Sequence, residues 1–337
     1  MPIDNRPLGA TGARVPVICL GTMTFGLQCD EETSFRILDR AFEAGVDFFD
    51  TADVYPVGGG LDTVGGTEEI IGRWMRDRGV RDDIFLATKC RGLMGPGAND
   101  SGLSRIHIQK AVEASLRRLQ TDVIDLYQTH SFDPHTPIEE TLTALDDLVA
   151  QGKVRYIGCS NYPAWRLSEA LAASRRLQLA RYETLQPRYN LLYRDIESEL
   201  LPLARASRVG VIVYNPIAGG LLSGKYRPGE EPKQGTRFTL GGAAEMYQKR
   251  YWDSKQLEAT DELRAAAEER GLSLVSVAIS WVLAQPGITS AIIGASRPEQ
   301  LDASIAGAEL EIDEDLTALC NDVWWRLPRR PVVEGYR

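Results

Sequence analysis

The sequence has no apolar run near the ~20 residues that span a bilayer, and its opening Met1-Pro2-Ile3-Asp4-Asn5-Arg6 lacks the apolar stretch of a secretory signal. A cytoplasmic protein without a membrane partner is expected. Positive charge is in short supply: 38 Lys and Arg face 47 Asp and Glu, for a net charge of −9. Composition therefore offers nucleic acid and anionic membranes no electrostatic attraction. Cysteine is sparse. Cys19, Cys29, Cys90, Cys159 and Cys320 are odd in number and form no C-x-x-C pair, which argues against a disulfide framework or a zinc site. No metal site is expected.

Two nucleotide-binding signatures are missing as well. Gly58-Gly59-Gly60 and Gly65-Gly66 lack the G-x-G-x-x-G spacing of a Rossmann turn. Gly219 to Lys225 matches G-x-x-x-x-G-K, but Tyr226 stands where Ser or Thr would hold magnesium, and Arg227-Pro228-Gly229 cannot open the required helix. A P-loop NTPase is excluded. The amides of that stretch remain candidates for a phosphate in another geometry. No composition break or residue-level repeat divides the chain, so one domain over 1–337 is expected.

What is present is rhythm. Short apolar runs at 17–20, 46–49, 84–88, 123–127, 154–158, 182–185, 209–214 and 291–293 read as buried strands. Helical patterns follow them at 31–44, 67–75, 104–119, 137–149, 163–175, 195–207, 256–270 with 273–284, and 298–306. Thr67 and Ser104 are placed to cap two of these helices. A turn around Leu8 to Gly12 suggests an N-terminal hairpin, 219–255 interrupts the rhythm as a long Gly/Pro-rich loop after the seventh strand, and an extra helix is expected over 313–325. Strands alternating with helices imply a parallel sheet. Eight such units predict an α/β fold, a closed (β/α)8 TIM barrel.

Chemistry in this fold sits at the C-terminal strand ends. Those ends carry Thr22, Asp50, Lys89, His130, Ser160-Asn161, Gln186, Tyr214-Asn215 and Ser296. Tyr55 lies just past the second. A phenol, with a pKa near ~10, is a weak acid at neutral pH. A lysine beside it lowers that pKa, and a carboxylate fixes the lysine. Asp50, Lys89 and Tyr55 supply these parts, and His130 would hold a carbonyl oxygen. Singly, each has an ordinary structural explanation. Jointly, at matched strand ends, they point to proton donation to a carbonyl.

On Gly21-Thr22-Met23, Asp50-Thr51-Ala52 with Tyr55, Thr67-Glu68 with Gly72, Ala87-Thr88-Lys89, Asp125 to His130, Gly152 to Asn161, Gln186 with Tyr189-Asn190, Tyr214-Asn215-Pro216 and Gly294-Ala295-Ser296, nearly the whole chain resembles the aldo-keto reductase superfamily. The resemblance implies a barrel that binds NADPH and a catalytic tetrad of Asp50, Tyr55, Lys89 and His130. It implies that Thr22, Met23 and Asp50 adjoin the cofactor, that Ser160, Asn161 and Gln186 hold its carboxamide, and that Tyr214 stacks on the nicotinamide. Asn215, Pro216, Ile217, Ala218 and Gly219, with Lys225 and Arg237, would wrap the pyrophosphate. Gly294, Ser296, Arg297, Gln300 and Ser304 match the adenosine end, where Arg297 and Ser296 suit a 2′-phosphate and favour NADPH over NADH.

Two departures stand out. Ala303 and Ser304 occupy positions where many relatives have Glu-Asn, and a longer Gly-rich loop, Pro56 to Gly66, follows Tyr55 as either a lid or a spacer. The expected partner is a small carbonyl compound, in a pocket walled by Phe25, Tyr55, Arg91, His130, Phe132 and Trp324. The resemblance leaves a keto-sugar or sugar-nucleotide 2,3-reductase as one alternative. Another is a redox-sensing NADPH-binding module of the potassium-channel β-subunit type, a branch in which the position of His130 is substituted.

Overall fold

The computed structural model of the chain describes residues 3–329. The expected domain limits at 1 and 337 lie outside them. An antiparallel hairpin, β1 (Asn5–Pro7) and β2 (Arg14–Pro16), precedes eight parallel strands. These are β3 (Ile18–Gly21), β4 (Phe48–Asp50), β5 (Phe85–Cys90), β6 (Ile124–Thr129), β7 (Val154–Ser160), β8 (Tyr182–Gln186), β9 (Gly210–Val213) and β10 (Ile288–Gly294). Each pairs with its neighbour in sequence, and β10 closes the ring against β3. The expected TIM barrel is therefore the observed one.

Alternation along the strands builds two cores. Leu20, Phe49, Leu86, Tyr127, Val211 and Ile293 point outward, under the helices. Cys19, Phe48, Ala87, Leu126, Ile212 and Ile292 point inward. Leu8 and Val15 of the hairpin join that inner cluster and floor the barrel. The turn fits because Gly9 has φ +60 and a Cβ there would come within 2.3 Å of the Glu183 carbonyl oxygen. Because strand side chains alternate with period two, the next inward residues are Asp50, Lys89, Gln128 and Tyr214, two past Phe48, Ala87, Leu126 and Ile212. The barrel interior thus changes from apolar to polar within one layer, at the C-terminal rim.

The helices are α1 (Glu31–Glu43), α2 (Gly66–Arg78), α3 (Arg105–Leu119), α4 (Ile138–Ala150), α5 (Ala164–Leu177), α6 (Leu200–Ala206), α7 (Ala244–Tyr251), α8 (Ser254–Glu268), α9 (Leu274–Ala284), α10 (Gln300–Ala306) and α11 (Glu314–Arg326). Ser104 caps α3 as expected, accepting from the His107 N–H at 3.3 Å. Thr67 does not cap α2. Gly65, in the left-handed region, occupies the cap, and the Thr67 hydroxyl instead donates to the Phe25 carbonyl at 2.8 Å. Glu68, in the first turn of α2, is buried, accepting from Thr88 Oγ1 (2.6 Å) and Arg118 Nε (2.7 Å). The last barrel strand begins three residues before the expected 291. The 219–255 segment is not simple loop: it carries 3-10 turns and α7. No helix among the described residues is long and apolar enough to cross a membrane.

Candidate active site

Closure of the barrel brings together strand ends that lie far apart in sequence. Lys89 is fully buried, and its ammonium donates to Asp50 Oδ1 at 2.5 Å and to the Thr51 carbonyl at 2.7 Å. A buried charge is tolerated only when paired and hydrogen-bonded, and both conditions hold. Asp50 Oδ2 accepts from Gln128 Nε2 at 3.0 Å and Gln186 Nε2 at 2.8 Å. Three donors from three strands thus orient one carboxylate. The lysine ammonium lies 5.2 Å from the Tyr55 ring centroid.

Tyr55 and His130 meet edge to face, with ring centroids 5.7 Å apart. Burial pushes the Tyr55 phenol well above its ordinary pKa, Asp50 and Tyr247 add to this, and Arg237 acts the other way. The expected lowering by Lys89 is outweighed by burial and the Asp50 charge. Tyr55 is consequently a neutral phenol at rest. Burial pushes the His130 imidazole well below its ordinary value, with Lys89 and Arg91 acting in the same direction. A neutral imidazole can still present an N–H to a carbonyl oxygen.

Asp50, Tyr55 and His130 open onto one cleft of about 2020 Å³. Drug-sized ligand pockets occupy roughly 300–1,000 Å³, so this cleft has room for a dinucleotide and a second molecule. Thr22, Met23, Ser160, Asn161, Gln186 and Tyr214 line it beside the tetrad. Asn161, at φ +57, donates to the His130 carbonyl (2.9 Å) and accepts from the Tyr214 hydroxyl (2.8 Å). The Ser160 hydroxyl donates to the Gln186 carbonyl at 2.8 Å.

Farther along lie Asn215, Pro216, Ile217, Gly219, Lys225, Arg237, Gly294, Ser296, Arg297, Gln300 and Ser304. Gln300 Oε1 accepts from the Ser296 N–H (2.8 Å) and hydroxyl (3.2 Å). Lys225, Arg237 and Arg297 converge, and no carboxylate is paired with them among the described residues. Burial and the neighbouring cations Lys233, Arg297 and Arg237 push the Lys225 ammonium down. Cations gathered without a counter-charge make an anion site, which fits the phosphates of a dinucleotide.

Lys89 sits beneath the cleft wall rather than on it. Ala218 is buried off the cleft, its N–H donated to the Asn215 carbonyl at 2.9 Å. Three expected substrate residues are elsewhere. Phe25 is fully buried in the outer core. Phe132 packs edge to face on Tyr162 and Trp165. Trp324 packs on Tyr193 and under Arg329. Phe25 is core, Phe132 is half-buried against neighbouring aromatics and Trp324 is buried on the C-terminal helix, distinctions that sequence position near a strand end cannot make. Arg91 does line the cleft.

The Pro56 to Gly66 loop forms a wall, not a spacer. Val57 N–H donates to the Met23 carbonyl at 3.2 Å, and a Cβ on Gly241 would lie 3.2 Å from the Gly58 oxygen. Two residues went unmarked in the sequence. Gln128 was legible as the inward residue two past Leu126, paired in register with Lys89. Tyr247 carried no signal. It comes from α7, lies against Gly219 and Arg237, and raises the pKa of Tyr55.

A family model described as the aldo/keto reductase family matches residues 17–324. An uncharacterized oxidoreductase, YrpG, of Bacillus subtilis is 41% identical over 94% of each chain. A probable voltage-gated potassium channel subunit beta of Arabidopsis thaliana is 36% identical over 99% of this chain and 100% of its own. L-glyceraldehyde 3-phosphate reductase of Escherichia coli is 34% identical over 90% of this chain and 87% of its own.

Proposed function

The chain belongs to the aldo/keto reductase family, and from that premise we propose that it is an NADPH-dependent oxidoreductase that reduces aldehydes or ketones to alcohols in the cytoplasm. The observation that carries this reading is the cleft that Asp50, Tyr55 and His130, backed by Lys89, share with the cations Lys225, Arg237 and Arg297, which have no carboxylate partner among the described residues. Bound NADPH supplies the hydride to the carbonyl carbon.

The chain supplies the rest. Tyr55, a neutral phenol, donates its proton to the carbonyl oxygen as negative charge develops there. The Asp50-anchored Lys89 stabilises the phenolate left behind, an interaction that strengthens only as that charge appears. The His130 imidazole orients the oxygen by donating to it. Ser160, Asn161 and Gln186 hold the carboxamide, and Tyr214 backs the ring. Lys225 and Arg237 hold the diphosphate. Arg297 is left for a 2′-phosphate, the reason for preferring NADPH.

The test is NADPH oxidation with 4-nitrobenzaldehyde or methylglyoxal by the native chain and by Tyr55→Phe. Loss of one general acid is expected to lower kcat by ~10²–10⁴-fold with NADPH affinity retained. The full-length similarity to a channel β subunit supports a second reading, an NADPH-binding module. Tight NADPH binding without Tyr55-dependent turnover across a broad carbonyl panel, keto sugars included, would establish that reading instead.

A further inference from the structure

Arg91 is the first residue beyond β5. His130 N–H donates to the Cys90 carbonyl at 2.9 Å, so Arg91 and His130 leave the barrel rim side by side. The Arg91 backbone has φ +125, a region that L-residues with side chains rarely enter and that native structures hold where a function requires it. Its carbonyl accepts from Gly102 N–H at 2.9 Å, and its Nε donates to the Phe132 carbonyl at 3.2 Å. The loop is thereby tied down, and the guanidinium is held by one edge on the cleft wall.

Its two terminal nitrogens have no hydrogen-bond or ion-pair partner among the described residues. Asp133, the acid that feels its charge, is already engaged: it accepts from the Leu103 and His135 N–H groups and the Thr136 hydroxyl. A fixed Nε with an open terminal fork matches an oxyanion in planar, bidentate geometry. Arg91 and His130 both line the one cleft, and the Arg91 charge acts on the His130 imidazole in the same direction as burial.

We infer that the substrate of this site is an anionic carbonyl compound, with a carboxylate or phosphate a few bonds from the reducible carbonyl, and that Arg91 binds that anion. The inference rests on the proposed carbonyl reduction. Adjacent strands lie about 4.8 Å apart, so a short aldehydic or ketonic acid reaches from His130 and Tyr55 to Arg91. The anion contact forms on binding and persists unchanged through proton transfer, so it acts mainly on KM.

The experiment compares matched pairs with NADPH: 4-carboxybenzaldehyde against methyl 4-formylbenzoate, and glyceraldehyde 3-phosphate against glyceraldehyde. The native enzyme is expected to favour the charged member by about tenfold or more in kcat/KM, the size of one charge-assisted contact. Arg91→Met should collapse that ratio through KM, and Arg91→Lys should leave it between the two. The pair with the larger ratio tells carboxylate from phosphate. A native ratio near one, or a ratio unchanged in Arg91→Met, overturns the inference.

Calorimetric titration of the NADPH-loaded protein with 4-(hydroxymethyl)benzoate, benzyl alcohol and inorganic phosphate reads the site without turnover, because an alcohol has no hydride acceptor there. Anion binding that weakens about tenfold in Arg91→Met supports the inference even if no carbonyl is reduced, an outcome that would count against the reductase reading alone. Anion binding indifferent to Arg91 overturns the inference whatever the turnover.

Discussion

Asp53 sits three residues beyond Asp50 and two before Tyr55, yet its surroundings are opposite in kind. Asp50 accepts from Lys89, Gln128 and Gln186. Asp53 is fully buried, and neither carboxyl oxygen has a hydrogen-bond partner at ordinary geometry among the described residues. Burial pushes its pKa well up, and Glu68 adds to this while Arg118 opposes it. For a carboxyl whose folded pKa is raised, the stability contribution is whole below the unfolded value of about 3.9 and is lost as pH rises toward the folded value. Asp53→Asn, which cannot ionise, should therefore be more thermostable than the native chain above pH ~4, by ~2–4 °C for each kcal/mol recovered. Melting curves from pH 4 to 9 would show the gap widening with pH. A gap that narrows would contradict the assignment of Asp53 as a neutral acid.

At the scale of elements, the segment between β9 and α8 decides how the cofactor side of the cleft is built. Gly219 and Gly220 both take positive φ, and a Cβ on Gly219 would stand 2.7 Å from the Tyr247 ring. Tyr247 is in turn hydrogen-bonded at 3.4 Å to Arg237, which also reaches Asn215 Oδ1 at 3.4 Å. The short helix α7 is thereby keyed into the 3-10 turn that follows β9. Gly219→Val forces a β-branched residue into the left-handed region and pushes this ring away. NADPH affinity is expected to fall by about tenfold or more, since ~1–2 kcal/mol of backbone strain is added. Fluorescence titration with NADPH measures it, and an unchanged Kd would show that α7 is not keyed to the cofactor wall.

At the scale of the molecule, the closed ring is what makes the site. Asp50, Gln128 and Gln186 stand on alternate strands β4, β6 and β8, and alternate strands of a (β/α)8 barrel contribute to one interior layer. Gly158, opposite Gln128 in register, leaves the room: a Cβ there would lie 2.2 Å from Thr184 Oγ1 and 3.2 Å from Gln128 Cγ. Gln128→Leu keeps the bulk and removes one donor to the carboxylate that anchors Lys89. A charged-group hydrogen bond is worth ~1.5–3 kcal/mol, so kcat is expected to fall by roughly 10–100-fold with KM for NADPH nearly unchanged. A basic shift in the pH dependence of kcat would separate this positioning role from simple loss of fold. Native kcat and pH profile in Gln128→Leu would refute it.

Local pattern reaches far in this protein. Eight apolar runs separated by helical periodicities determine the barrel, because period-two and period-3.6 patterns cannot be satisfied by the same packing. Polar residues at the ends of those runs already mark Asp50, Lys89, His130, Asn161 and Gln186 as neighbours. Tertiary structure alone decides which side of a wall a residue faces and what else reaches it. Phe25, Phe132 and Trp324 look like pocket aromatics in sequence, yet Phe25 and Trp324 are buried away from the cleft and Phe132 packs on neighbouring rings, since apolar rings gain most against other apolar surface. Thr67 looks like a cap and is a tether, since Gly65 takes the left-handed cap position. Tyr247, on a helix inside the stretch expected as a loop, and the open fork of Arg91 take their direction from long-range packing. The pKa of Tyr55 is likewise a property of the folded interior, because its burial and the nearby Asp50 and Tyr247 exist only once the ring of strands has closed.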